Sequence, residues 1–178
     1  LTHTSGYRPD FDLGEKWTGR DGMLAALKKE KLRNPPGTRF VYSDIGFIVL
    51  GELVERLGGD AVDRFAYSQF LSRLASPNYQ FQRIWFNRMD PSSSGFCLEM
   101  VSPKDDSRLS PDMRCPPVAP TESIKGQQSY LGGSFVGNGG GEIVKGRVHD
   151  PTAYRMQGVA GHAGLFSTAD DLARYCQM

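Results

Sequence analysis

"FVYSDIGFIVLGELVERLGG", residues 40–59, decides how this chain is read. Ile45, Ile48, Val49, Leu53 and Leu57 recur at the three- and four-residue spacing of an amphipathic helix. Gly58-Gly59 supplies the stop, because glycine takes the left-handed conformation that closes a helix without steric penalty. At the other end Ser43 or Asp44 would cap the start, since either side chain accepts a hydrogen bond from the unpaired first-turn amides. The run Tyr42-Ser43-Asp44 therefore has two readings: a polar helix start behind a half-buried aromatic, or part of an active site. Local chemistry supports the plain cap. A tyrosine ionises only near pH about 10, so it is a poor base unless cations stabilise its phenolate. Asp44 acts in the wrong direction, and no residue beside it in sequence supplies a cation.

Outward from this helix, "LTHTSGYRPDFDLG" (1–14) has turn chemistry throughout and reads as a loop. "RDGMLAALKKEKLRN" (20–34) predicts a helix with Met23, Leu24, Leu27 and Leu32 on one face, Asp21 as N-cap and Pro35-Pro36-Gly37 as the stop. "TRFVY" (38–42) reads as a short extended segment. A third helix is expected through "AVDRFAYSQFLSRLA" (61–75), with Asp60 near its cap and Pro77 after its end. From about Ser76 to Val148 the periodicity collapses, and "PSSSG" (91–95) and "VGNGGGE" (136–142) are the loosest stretches. A span of that length predicts short strands or an inserted excursion. Order returns in "GVAGHAGLFSTADDLARYCQM" (158–178), where Ser167 or Thr168 would cap a last helix with Leu172, Ala173 and Cys176 inward. The organisation expected is one partial domain over 1–178: a helical part to 76, an irregular part over 77–148, and a loop plus helix over 149–178. Because it opens on Leu1 in an ordered motif and ends inside a helix, the chain reads as a piece of something larger.

The 178 residues suffice for one domain with a core, and a net charge of +1 with interspersed signs offers no basic face for nucleic acid. No apolar run approaches a membrane span. Cys97, Cys115 and Cys176 are odd in number and form no CxxC, so three thiols are expected, with a Cys97–Cys115 bridge the alternative for an exported parent. His3, His149 and His162 lie far apart without ligand spacing, which predicts no metal site, and no cofactor motif is present. "GNGGGE" (137–142) lacks the Lys-Ser or Lys-Thr of a phosphate loop, and neither Gly-x-Ser-x-Gly nor His-Glu-x-x-His occurs.

Four blocks in fixed order change the balance: "LTHTSG" (1–6), "NPPGTRFVYSDIGFIVLGELVERLGG" (34–59), "VAPTE" (118–122) and "HDPTAYRMQGVAGHAGLFSTADDLARY" (149–175). Together they resemble the serine β-lactamase and penicillin-binding-protein-like family, of the class C β-lactamase, esterase and D-alanyl-D-alanine carboxypeptidase type. The stretches 77–117 and 123–148 carry none of the resemblance. It implies a fold joining a helical lobe to an antiparallel sheet with flanking helices, the active site lying between them. This chain would then be mainly α with long irregular segments: the helical lobe of that α+β fold, with the central sheet largely missing.

The resemblance also implies three catalytic elements: a Ser-x-x-Lys helix start, a Tyr-x-Asn or Tyr-x-Asp base element, and a Lys/His-x-Gly strand. Tyr42-Ser43-Asp44 matches the second, which makes Tyr42 the general base and Ser43 a substrate-binding position. A lysine beside the phenol would lower its pKa so that the phenolate can take the serine proton. Asp44 stands where asparagine is commoner; it could pair with that lysine, but an ionised carboxylate cannot donate to a substrate carbonyl as an amide does. No serine here has lysine three positions later, so the nucleophile motif is absent. Ser5 reads as a turn or capping serine. His162-Ala163-Gly164 imitates the third element, yet "LFST" and a helix come directly after it. A wall of the site and a loop-ordering role both remain open for His162, and the family's internal "GHAGLFSTADDLA" block fits better. The resemblance therefore implies a fragment of a serine hydrolase acting on esters, β-lactams or D-alanyl peptides through an acyl-enzyme. Its partners would be a small acyl substrate and the rest of the parent domain, and alone it would be inactive. The alternative is a non-catalytic binding or structural module. An exported or periplasmic location is implied by the resemblance only.

Overall fold

The computed structural model describes residues 1–71, 85–86, 119–123, 143–145 and 147–177. The helix of the opening stretch, α2, runs Asp44–Gly58 and follows the sequence at both ends. Ser43 is its N-cap: the backbone is extended there, and Oγ accepts from the Gly46 amide at 3.2 Å. Gly59 closes it at φ 71°, its amide donating to the Glu55 carbonyl.

The inward face differs from the expected one. Ile45 and Ile48 are buried, but Leu53 is 48% and Leu57 80% exposed. The buried stripe passes instead through Gly51 and Glu52. The cause is a backbone-to-backbone contact. A Cβ on Gly51 would stand 2.8 Å from the Gly161 Cα, and a Cβ on Gly161 would stand 2.2 Å from the Phe47 carbonyl oxygen. Only glycines allow that approach. Glu52, next to it, is buried in ion pairs with Arg20 at 2.7 Å and Arg56 at 2.6 Å. The position is polar because its charge is paired.

Ahead of it, α1 (Gly19–Leu27) is shorter than its sequence suggested. Thr18 precedes it without a side-chain cap bond, and Asp21 lies in the first turn. The amides of Lys29 and Glu30 fold back onto the carbonyls of Ala26 and Leu27, so a turn ends the helix well before Pro35. Met23 and Ala26 point inward; Leu32, beyond the turn, is half exposed. Residues 38–43 carry neither helix nor strand.

Met23 and Ala26 join Phe11, Ile45 and Ile48 in the main core, with Tyr7, Trp17, Leu24, Leu27 and Val49 at its margin. A second cluster gathers Val148, Ala153 and Ala160, and Met156 packs against both. The part after α2 is more open. In α3 (Val62–Gln69) no residue is buried, although Leu71 just beyond it is. Asp60 accepts from the Ala61 amide at 2.8 Å and pairs with Arg64, but the N-cap position is Ala61. The rest of the expected helix, to 75, lies outside the described residues.

A short α4 (Pro151–Arg155) is capped by Asp150 and has proline at its start, and α5 (Ala169–Tyr175) is capped by Thr168. In α5 the inward residue is Asp171, while Leu172, Ala173 and Cys176 are exposed, the reverse of the expected face. The Thr168 hydroxyl and the Asp171 amide and carboxylate bond reciprocally, which turns Asp171 in and the next position out. Among the described residues sheet structure is slight: β1 (Trp85–Phe86) pairs antiparallel with β4 (Leu165–Phe166), and β2 (Pro120–Ser123) with β3 (Ile143–Lys145). Short strands were expected in the irregular span; "PSSSG", "VGNGGGE", Cys97 and Cys115 lie outside the described residues. Cys176 is a free, exposed thiol. No described helix is long and apolar enough to cross a membrane.

Candidate active site

Residues 1–10 wrap the start of α2 through backbone bonds. The amides of Val41, Gly37 and Asp44 donate to the carbonyls of His3, Thr4 and Pro9 at 2.8, 2.8 and 2.7 Å. The Arg33 amide donates to the Gly6 carbonyl, and Gly6 (φ 88°) leaves no room for a Cβ beside Asn34. Ser43 is fully engaged in this seam. Its amide donates to His3 Nδ1 at 3.0 Å, and its hydroxyl donates to the Arg8 carbonyl at 2.7 Å while capping Gly46. Ser5 accepts from the Tyr7 amide at 3.4 Å, as a turn serine does.

Tyr42 is treated differently from its neighbour. It is 62% exposed, and no group among the described residues hydrogen-bonds its hydroxyl. Its ring stacks on His3 with centroids 4.3 Å apart and planes 28° apart. His3 also meets Phe40 edge-on and Phe47 at a tilt. His3 holds a left-handed backbone (φ 53°), a strained conformation for a side-chain-bearing residue that the surrounding bonds enforce. Accepting at Nδ1 places the ring proton of the neutral imidazole on Nε2.

On the far side of Ser43, Asp44 meets Asp10 and Asp150, with one carboxylate oxygen of each within 4.8 Å of the others. Asp10 accepts from the Thr152 hydroxyl at 3.0 and 2.9 Å and from the Phe11 amide at 2.7 Å. Asp150 accepts from the Ala153 amide at 2.6 Å and sits 2.8 Å from His162 Nε2, whose side chain is only 3% exposed. Burial pushes the Asp150 carboxyl up, but the His162 bond, the Ala153 amide and the His162 charge outweigh it and hold it below the ordinary value. Asp44 is held above its ordinary value, first by burial and then by Asp10 and Asp150, against the pull of His162 and His3. Acidic side chains at this spacing do not by themselves define a metal site, and those of Asp10 and Asp150 are already satisfied by protein donors.

Sequence reasoning singled out Tyr42, Ser43, Asp44 and His162, and the fold gathers all four around one helix start. It passed over His3, Asp10 and Asp150. Asp150 had a readable signal, an aspartate before Pro151 at a helix start. Asp10 had none, since its partner Thr152 is 142 positions away.

A family model described as Beta-lactamase matches residues 1–178. The chain belongs to the beta-lactamase family. Within it, an N-acetylmuramyl-L-alanine amidase of Bacillus subtilis (strain 168) is 33% identical over 160 residues, covering 89% of this chain and 30% of that protein. A putative D-alanyl-D-alanine carboxypeptidase of Salmonella schwarzengrund (strain CVM19633) is 30% identical over 186 residues, covering 100% of this chain and 37% of that protein. The chain thus spans about a third of the length of the curated relatives it matches. The octameric penicillin-binding protein homologue from Pyrococcus abyssi superposes with a TM-score of 0.52 at 19% identity, over 100% of this chain and 33% of that one, which fixes the fold. The family is one of penicillin-binding-protein-like serine hydrolases.

Proposed function

We propose that the chain is the helical lobe of a serine hydrolase that cleaves acyl bonds through an acyl-enzyme, with Tyr42 as its general base. One observation carries this reading: the start of α2 is sealed at Ser43, while the adjacent phenol is left exposed, its hydroxyl unengaged by any described residue. A residue that served only the cap would gain nothing from that exposure. In this reading Ser43, buried with its hydroxyl fully used, positions Tyr42 and defines the substrate-side edge of the motif. His162, packed against Asp150, orders the loop beneath. Residues 1–178 form one partial domain, whose central sheet and nucleophile come from the remainder of the parent protein.

The relatives named as an amidase and a carboxypeptidase favour amide or peptide bonds of a small acyl substrate over simple esters. Without a Ser-x-x-Lys the chain itself should be silent, because the base has neither a hydroxyl to deprotonate nor a lysine to lower its pKa. That same lack of a nucleophile motif favours the second reading, a binding or structural module. Intact-mass measurement after incubation with a reactive β-lactam separates the two. The full-length gene product should gain one acyl adduct and the 178-residue chain none. An adduct on the chain alone, or none on the full-length protein, would overturn the proposal.

A further inference from the structure

His3 grips the backbone on both sides of Tyr42. Its carbonyl accepts from the Val41 amide at 2.8 Å, and its Nδ1 accepts from the Ser43 amide at 3.0 Å. Between those two bonds its ring lies against the Tyr42 ring, with centroids 4.3 Å and planes 28° apart. One residue thus holds the chain before Tyr42, the chain after it and the side chain itself. The His3 ring is in turn packed by Phe40, edge-on at 5.8 Å, and by Phe47, tilted at 5.1 Å. Its left-handed backbone (φ 53°) carries a cost that persists only where the surroundings over-determine it. Neither asparagine nor phenylalanine could make the whole set of contacts. An amide offers an acceptor without a ring, and a phenyl offers a ring without an acceptor; the neutral imidazole offers both.

Tyr42 needs such a hold. Its ring is 62% exposed and its hydroxyl bonds to no described residue, so nothing at its tip restrains the side-chain torsions. An exposed aromatic left free at its tip samples several staggered rotamers, and each puts the oxygen in a different place. Misplacing a reacting group by about 1 Å costs on the order of 10²-fold in rate. We propose that His3 is a positioning residue for Tyr42: its two backbone bonds fix the chain at 41–43, and its ring selects one phenol rotamer by stacking. That the held oxygen is a base rests on the hydrolase reading above; the clamp itself does not.

Aromatic NMR of the 178-residue chain, with labelled tyrosine and histidine, tests the clamp directly. The Tyr42 ring signals, identified by their loss in Tyr42→Phe, should be shifted upfield by the imidazole face and show cross-peaks to the His3 ring. His3→Asn keeps an acceptor for the Ser43 amide and suits a left-handed backbone, so the chain should fold while those signals move to the free-tyrosine position. His3→Phe restores a ring and should return them upfield. Missing cross-peaks in the wild-type chain would overturn the proposal whether or not either variant folds. So would Tyr42 signals that His3→Asn leaves unmoved. In the full-length protein His3→Asn should slow acylation about 10- to 100-fold with KM little changed, and His3→Phe should recover part of the loss. In a Tyr42→Phe background His3→Asn should cost nothing further, because no oxygen is left to place. An equal loss in both backgrounds would make His3 a support of the fold alone and overturn the positioning role. A Tyr42→Phe variant that acylates at the parental rate would instead sink the base assignment, while the ring signals, read without substrate, still decide the clamp.

Discussion

At its start α2 is gripped by the N-terminal loop, with Ser43 and Ile45 almost wholly buried; at its end Leu57 stands 80% exposed and the following α3 buries no residue. Both ends belong to one regular helix, and leucines and valines continue to its last turn. The difference lies in what each end packs against. The first two turns meet Phe11 and Met23 in the core and the glycine-bearing loop at 158–164, whereas the last turn meets Phe65 of α3 at Gly58 and, through Glu55, the Val62 amide and the Arg20 guanidinium near the surface. Packing is therefore densest, among the described parts of α2, where the candidate chemistry sits, and Tyr42 projects from that anchored start.

Four substitutions would break or sharpen that contrast. Ile48→Ala, in the gripped half, should destabilise the fold by about 2–5 kcal/mol in chemical denaturation, since it leaves a cavity at a fully buried site. Gly161→Ala should cost about 1–3 kcal/mol, because a methyl there meets the Phe47 carbonyl and must push the loop off α2. Asp150→Asn should cost about 1 kcal/mol near neutral pH, through loss of a charged acceptor. Its pKa is lowered in the fold, so its contribution is present above the ordinary aspartate range and lost as pH falls through the lowered value. Denaturation at a series of acidic pH values should show the cost shrinking; Asp44, whose pKa is raised, should behave oppositely, favouring the fold only until pH rises through that raised value. Leu53→Ala should change stability by less than about 0.5 kcal/mol. A loss at Leu53 equal to that at Ile48 would erase the contrast between the two ends.

Much of the local structure was legible. Ser43, Gly58 and Gly59 bound α2 because caps and stops are chosen by a residue's own backbone chemistry. The inward face was not legible at Leu53 and Leu57, nor at Leu172 and Cys176. A period marks an apolar stripe, but the partner decides which side of it is covered. For α2 the partner is Gly161, a residue with no hydrophobic signature. The site divides the same way. Tyr42 and Asp44 were singled out because they are adjacent and motif-like. The Asp10–Asp150 pair arises from opposite ends of the chain, joined by Thr152 and by the Arg155 guanidinium stacked 4.1 Å over the Trp17 ring.

Tyr42 is the point on which the reading turns, and pre-steady-state acylation of the full-length protein tests it most directly. Tyr42→Phe removes one oxygen from an exposed ring, so the thermal midpoint should stay at the parental value. Loss of a general base should slow acylation on the order of 10²–10⁴-fold. A folded phenylalanine variant that acylates at the parental rate would contradict the assignment and leave Tyr42-Ser43-Asp44 as a helix start alone.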